Sequence, residues 1–206
     1  MGSLRVGAVV PVPPFTGVQG DAGLDVDLMT AIAEALGDQM EFIGYETLDA
    51  VFDALDAGDV DCVAGGVTVT PEREQKAAFA PPYVITGQAL AVDARRHPQV
   101  HSTDDLDGLN VAVQRGSTAE FDIDEYDAVI ALAPVLTELT RAHPGVDVVQ
   151  KGLTVEHVAV AVAGHDQQLL SRITVALAEL EEGGILQQIR RKWLGNPYAD
   201  QSLAVH

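Results

Sequence analysis

Short apolar runs alternate with amphipathic helical patterns over residues 1–64, and this order constrains the fold more than any other feature of the chain. The predicted elements are, in order, strand Leu4–Val10, helix Asp25–Leu36, strand Glu41–Tyr45, a helix that begins after Thr47 and ends before Gly58, and strand Val60–Ala64. Successive strands joined by helices must lie parallel, with the helices on the faces of the sheet. The start of the chain therefore indicates an α/β sheet.

A second series of strands and helices follows from residue 89 onward. The predicted strands are Ala89–Val92, Leu109–Val113, Ala128–Ala131, Val146–Val149 and Val158–Val162, and the predicted helices run from Pro134 to about Ala142, over Gln167–Glu182 and over Ile185–Leu194. Two α/β units in one chain indicate two lobes, and a cleft between lobes is the usual place for a small ligand.

Composition excludes several classes of function. The 206 residues carry 31 acidic and 12 basic side chains, a formal net charge of −19. A chain this acidic does not favour nucleic acids or anionic membranes, so no nucleic-acid partner is expected. No apolar run approaches the roughly 20 residues that a membrane-spanning helix needs.

Metal and cofactor motifs are also missing from the sequence. Cys62 is the single cysteine, which excludes an internal disulfide and a multi-cysteine metal site. The six histidines are scattered without an H-E-x-x-H pattern, and there is neither a P-loop nor a G-x-G-x-x-G segment. We therefore expect neither a metal nor a cofactor.

The first candidate binding segment runs from Gly65 to Arg73, directly after a predicted strand. Thr70 can cap a short helix that has Pro71 at its first position. Glycines just before a helix present backbone N–H groups to an anion, and Arg73 adds a fork of donors that suits a carboxylate. The alternative is an arginine that simply lies on the surface beside a helix cap.

The second candidate segment, Gln114–Glu120, also lies where a predicted strand gives way to a helix. Ser117 and Thr118 can donate to an anion or can cap the helix, and the sequence leaves both interpretations open. The segment lacks the G-x-S-x-G pattern, so a hydrolase is not supported.

An ordered set of short stretches, each weak alone, extends over nearly the whole chain. The stretches are Leu4–Val6 with Pro14-Phe15, Gly23–Leu28, Ala54–Asp61, Gly66–Arg73, Phe79–Tyr83, Asp105–Gly108, Gly116–Ala119, Asp127–Val129 with Ala133-Pro134, and Lys192–Gly195. In this order they resemble the family 3 extracellular solute-binding proteins, the amino-acid receptors of ABC importers.

The resemblance implies a fold and its division into domains. The fold is α/β and periplasmic-binding-protein-like (type II), with two α/β lobes joined by two hinge strands near Thr86–Ala89 and Thr154–His157. The first lobe is discontinuous and takes in residues 4–89 and 157–206. The second lobe, residues 90–156, is reduced.

The same resemblance assigns residues that bind a ligand's α-carboxylate. The arginine of the family's T-P-E-R stretch grips the carboxylate, with help from the threonine and glycine before it, and these positions are Arg73, Thr68 and Gly66 here. Ser117 and the backbone of Thr118 would add donors from the second lobe.

Three positions depart from the family pattern. Leu132 stands where an aspartate usually binds the ligand's α-ammonium, and Val12 and Leu48 stand where aromatic residues usually contact the ligand. An unpaired ammonium in an apolar pocket costs several kcal/mol. We therefore expect a ligand without a free α-amino group.

The second lobe is short. Only Glu120–Tyr126 separates the G-S-T turn from the next matching strand, where the family has a helix, a strand and a helix. About 25 residues are absent by that comparison, roughly one crossover unit. Either the lobe is natively short, or a segment of the natural chain is missing from this sequence.

The function implied is capture of a small carboxylate-bearing solute, an amino acid or a related acid, for the permease of an ABC importer, without catalysis. The resemblance places such a protein in the periplasm or outside the cell, with or without a lipoprotein anchor, as a monomer whose export signal is absent from this sequence. Three alternatives remain: a ligand-sensing module of the same fold, a degenerate member that binds no ligand, and a dehydratase-like enzyme for a cyclic acid.

Overall fold

The structure, a computed structural model, describes residues 1–113 and 125–199. Clustering of contacts divides the chain into two compact units, one made of Met1–Ile85 with His157–His206 and the other of Thr86–Glu156. Both boundaries fall inside short strands that pair with each other, Val84–Thr86 (β5) and Glu156–Val158 (β10).

The first unit is built on a five-stranded sheet covered by helices. Its strands are β1 (Ser3–Val9), β2 (Gln39–Tyr45), β3 (Cys62–Ala64), β4 (Ala77–Phe79) and β11 (Ala161–Ala163), in the order β2-β1-β3-β11-β4. Its helices are α1 (Leu24–Leu36), α2 (Leu48–Ala57), α3 (Pro71–Glu74), α5 (Gln167–Glu182), α6 (Ile185–Leu194) and α7 (Asn196–Ala199). β1 is parallel to β2 and to β3, as the alternation of strands and helices predicted.

One predicted strand, Val158–Val162, is wrong as a single element. The structure splits it into the end of β10 and the start of β11, because the chain changes partner between them: the Ala159 N–H donates to the Val67 carbonyl, and the Val160 carbonyl accepts from the Ala80 N–H. All five residues are fully buried. A continuous apolar run therefore hides the point at which the partner strand changes.

The second unit holds a four-stranded sheet in the order β7-β8-β6-β9. Its elements are β6 (Gln88–Asp93), β7 (Val111–Val113), β8 (Ala128–Leu132), α4 (Ala133–Ala142), β9 (Val146–Gln150) and a single 3₁₀ turn at Thr103–Asp105. β6 lies between β8 and β9 and is antiparallel to both. Its alternate residues supply two cores, Ala89 and Ala91 on one face and Leu90 and Val92 on the other.

β7 and β8 are parallel neighbours in this sheet. The chain between Val113 and Ala128 makes the connection, and residues 114–124 of it lie outside the described part of the structure. Among the described residues, no helix is long and apolar enough to cross a membrane.

Candidate functional site

Three loops of the first unit leave the same edge of its sheet. Because β1, β2 and β3 are parallel, their carboxyl ends lie together, and ligands of open α/β sheets bind at that end. The predicted ligand residues in this unit follow these three strands: Val12 follows β1, Leu48 follows β2, and Gly66, Thr68 and Arg73 follow β3.

The turn after β1 packs against the loop after β3. The Val12 N–H donates to the carbonyl and to the side-chain oxygen of Thr16, which closes the turn. Phe15 in this turn is fully buried. A Cβ added to Gly66, whose φ is +76°, would lie 2.6 Å from the Phe15 ring. Gly66 is therefore required both by its left-handed backbone and by the close approach of this ring.

A buried carboxylate lies under the glycine loop. Asp25 Oδ1 accepts from the Gly65 N–H at 2.8 Å and from the Tyr83 hydroxyl, and the Gly66 N–H points at that hydroxyl oxygen at 3.4 Å. Asp25 and Tyr83 are both fully buried. From the sequence alone, the glycine N–H groups are predicted to donate to an anion. The structure shows that Asp25 already uses the one on Gly65.

Burial and mutual contact shift the pKa values of both Asp25 and Tyr83. Burial raises the pKa of Asp25 to about 6, although hydrogen bonds from Tyr83 and from the loop backbone act in the opposite direction. Burial, and next the charge of Asp25, raise the pKa of Tyr83 well above its usual value. Sequence reasoning missed both residues, because Asp25 fits the ordinary preference for acids in the first turn of a helix.

Arg73 is fixed against the loop that carries Thr68. The short helix α3 begins after Thr70, whose hydroxyl accepts from the Arg73 N–H at 3.3 Å, with Pro71 at the first helical position as predicted. The Arg73 guanidinium donates from Nη1 to the Thr68 carbonyl at 2.6 Å. Thr68 also forms a β-bridge with Val158. The structure thus brings Gly66, Thr68 and Arg73 onto one fixed loop.

The other predicted ligand residues lie elsewhere. Leu48 is the first residue of α2 and is half-buried, after the cap formed by Thr47. Leu132 belongs to the second unit, where it ends β8 opposite Gln88 and is 6% exposed. Ser117 and Thr118 lie outside the described residues.

The described residues contain no group of three or more histidine, cysteine or acidic side chains that could hold a metal ion. Cys62 is buried in β3, and burial raises the pKa of its thiol. With the N–H groups of Gly65 and Gly66 directed at Asp25 and Tyr83, the side-chain donors of the predicted set in this unit are the Thr68 hydroxyl and the Arg73 guanidinium, which suit a carboxylate.

Comparison with known proteins places these observations in a family context. A family model described as bacterial extracellular solute-binding proteins, family 3, matches residues 4–196. A probable histidine-binding protein of Neisseria gonorrhoeae is 29% identical, over 92% of this chain and 82% of its own length. That alignment runs over 222 residues although this chain has only 206, so the relative carries residues that this chain lacks.

Two solved structures show the same architecture. An ancestral arginine-binding protein bound to glutamine has a TM-score of 0.83 and 32% identity, covering 95% of this chain and 99% of that one. An ancestral amino-acid-binding protein described as a precursor of cyclohexadienyl dehydratase has a TM-score of 0.81 and 30% identity, covering 93% and 95%. The fold of these two structures therefore agrees with the family match over residues 4–196.

Proposed function

Because the chain belongs to the bacterial extracellular solute-binding proteins of family 3, we propose that it captures a small carboxylate-bearing solute for an ABC importer and holds the carboxylate on the loop of Gly66, Thr68 and Arg73. The predicted fold class, a type II periplasmic-binding-protein-like α/β fold, is confirmed by the structural likenesses. The predicted solute-binding role is confirmed at the level of the family.

The observation that carries the carboxylate assignment is the contact between Arg73 and the Thr68 carbonyl. It holds the guanidinium against the backbone two residues after Gly66, so the guanidinium donors have a fixed direction before a ligand binds. Donors fixed in advance lower the entropic cost of binding. Arginine pairs with a carboxylate through two parallel N–H···O bonds, which a flexible surface arginine rarely achieves.

The finer identity of the solute is inferred from Leu132. The relatives named above are amino-acid-binding proteins by description, which favours an amino acid. Leu132 offers no charge to an α-ammonium, which favours an acid without one. We infer that the solute keeps the α-carboxylate and has a keto or hydroxyl group in place of the α-amino group.

Paired ligands test this proposal. Isothermal titration calorimetry would compare L-leucine with 4-methyl-2-oxopentanoate, L-glutamate with 2-oxoglutarate, and L-phenylalanine with phenylpyruvate. We expect the keto acid of at least one pair to bind more tightly than its amino acid. Tighter binding of the amino acid in every pair would reject the assignment of Leu132. Absence of binding by every compound would favour the degenerate, ligand-free alternative.

The carboxylate clamp has its own test. Arg73→Ala should weaken binding of the best ligand by at least about 2 kcal/mol, because it removes a charge-assisted contact. Arg73→Lys should also lose affinity, since an ammonium cannot make two parallel bonds. Arg95→Ala, at an exposed arginine of the second unit, is the matched control. Equal affinity of the Arg73→Ala variant and the parent would remove Arg73 from the site.

The same family membership supports an inference about partner and location. We infer that the chain acts outside the cytoplasmic membrane, as a monomer, and presents its ligand to the permease of an ABC importer. The family is one of solute-binding proteins, and we infer that this chain binds its solute without converting it. Sedimentation at working concentration tests the monomer, with a mass of 21.7 kDa expected, and co-purification with a candidate permease tests the partner.

A further inference from the structure

Three separate segments meet under the glycine loop of the first unit. Asp25 comes from the first turn of α1, Tyr83 from the chain just before β5, and Gly65-Gly66 from the end of β3. Both side chains are fully buried and lie outside the set of residues predicted to contact a ligand.

Asp25 and Tyr83 form hydrogen bonds with the backbone of the glycine loop. Asp25 Oδ1 accepts from the Gly65 N–H and from the Tyr83 hydroxyl, and that hydroxyl faces the Gly66 N–H. The second oxygen, Oδ2, is buried and has no hydrogen-bond partner among the described residues. The carboxylate is therefore used on one side only, the side that holds the loop.

Glycine backbones need such a hold. Gly65 and Gly66 have φ values of +104° and +76°, and glycine crosses between positive and negative φ more freely than any other residue. Without side chains of their own, the two peptides depend on external bonds for their direction. Gly66 also precedes Thr68, whose carbonyl holds Arg73.

Keeping the Asp25 carboxylate buried has a cost that its contacts must offset. Burial raises the pKa of Asp25 to about 6, so at neutral pH the charge is kept inside the protein at a cost. An apolar side chain of similar size would avoid that cost. The benefit that offsets it must lie in what the carboxylate holds in place.

We propose that Asp25 and Tyr83 are positioning residues of the binding loop, which orient the Gly65 and Gly66 peptides so that Thr68 and Arg73 meet the ligand's carboxylate. This inference rests on the proposed function, because the loop has a ligand only if that function holds. In this proposal Asp25 and Tyr83 act on the loop and not on the ligand.

The test uses conservative variants of the full chain and two readouts. Tyr83→Phe removes only the hydroxyl. Asp25→Asn keeps an oxygen acceptor, whereas Asp25→Leu removes it. Ile173→Val, a fully buried position in α5, serves as a control for a general loss of packing. Amide hydrogen exchange at Gly65 and Gly66 is measured without ligand, and calorimetry is done with 2-oxoglutarate and L-glutamate.

We expect Tyr83→Phe and Asp25→Leu to speed exchange at these amides by about tenfold and to weaken binding by about tenfold, the loss expected for roughly one hydrogen bond. Asp25→Asn should restore both readouts to within about threefold of the parent, because the acceptor remains. The Ile173→Val control should lower the melting temperature and leave both readouts unchanged.

The two readouts separate the two ideas. Unchanged exchange at Gly66, the amide that faces the Tyr83 hydroxyl, in Tyr83→Phe overturns the positioning role, whether or not a ligand binds. Faster exchange with undiminished ligand affinity also overturns it. Faster exchange in the variants, together with a parent protein that binds neither compound nor any other acid, rejects the proposed function and leaves the hold on the loop standing. Should Asp25→Leu fail to fold, Tyr83→Phe and Asp25→Asn still decide the question.

Discussion

At the scale of single residues, Asp25 shows how a buried charge makes stability depend on pH. Its pKa is about 6 in the folded protein, above the usual 3.8. The folded state therefore holds this proton more tightly than the unfolded state does. Its contribution to the free energy of unfolding is complete below about pH 4 and is lost as pH rises through about 6.

Asp25→Asn removes this titration while keeping an acceptor for the Gly65 N–H. The free energy of unfolding of the variant, minus that of the parent, should rise from pH 4.5 to pH 7.5 by an amount on the order of 2 kcal/mol. Urea unfolding at a series of pH values measures it. Asp105→Asn should be nearly flat over this range and show the opposite slope only below about pH 4, because the backbone N–H groups of His101 and Ser102 lower the pKa of Asp105. A difference that is flat with pH would contradict the burial of an ionised Asp25.

In the proposed site, Leu132 is the residue that would select the class of ligand. If the carboxylate clamp is intact, Leu132→Asp should improve the binding of α-amino acids by about 1.5–3 kcal/mol, the worth of one charge-assisted hydrogen bond. Calorimetry with L-glutamate and 2-oxoglutarate checks it, and Leu132→Asn is the uncharged control. An unchanged preference in Leu132→Asp would mean that this position does not select the ligand.

A parent protein that binds amino acids tightly would point to another carboxylate. Gln88 lies directly opposite Leu132 in the sheet, so their side chains share a face. The Gln88 amide donates to Glu156 at 2.8 Å. Glu156→Gln would then be the variant to measure.

At the scale of helices and strands, long patterns were predictable and short ones were not. Helices α5 and α6 were predicted to the residue, because sixteen and ten residues of amphipathic pattern are divided by Gly183-Gly184. Strands β4 and β5 were missed, since neither has a longer apolar run around it, as the equally short β3 and β7 have, and Pro81-Pro82 interrupt the chain between them. Their place in the sheet is decided by neighbours that are distant in sequence.

The candidate site divides in the same way. The cap at Thr70, the proline after it and the glycines before it are local signals, and the sequence predicted the loop and helix α3 from them. The contact of Asp25 with Gly65 spans 40 positions, and that of Tyr83 with Asp25 spans 58. No local pattern marks such contacts, so only the folded structure could reveal the buried pair.

The cap of α2 is a local signal that can be tested by itself. The Thr47 side chain accepts from the Ala50 N–H at 3.1 Å. Thr47→Ala should lower the free energy of unfolding by about 1 kcal/mol, because it leaves a helix-end donor without its side-chain acceptor. Thr47→Ser keeps the hydroxyl and should lie close to the parent in urea unfolding. Equal losses in both variants would show that packing of the threonine methyl matters, and not the cap.

At the scale of the whole molecule, charge dominates. Acidic residues outnumber basic ones by 31 to 12, and the net charge is −19. Ion pairs such as Arg5–Asp61 and Arg172–Asp38 use basic residues that this net charge already counts, so they leave the excess of acids unchanged. The remaining like charges repel one another across a compact surface, and unfolding relieves that repulsion.

Salt should therefore stabilise this protein. Raising NaCl from about 0.01 M to about 0.3 M shortens the Debye length from roughly 30 Å to well under 10 Å, which screens the repulsion between acids on the surface. We expect the melting temperature to rise by several degrees over this range, corresponding to about 1–2 kcal/mol for a chain of this size. Most of the rise should be complete by about 0.5 M, because screening saturates, whereas a general salting effect continues to grow.

A charge variant tests the same idea. Asp53 is an exposed residue of α2, and Asp53→Lys reduces the net negative charge by two. This variant should have a higher melting temperature than the parent at low salt and should gain less from added NaCl. A melting temperature that falls with added salt would show that the ion pairs outweigh the excess of acids.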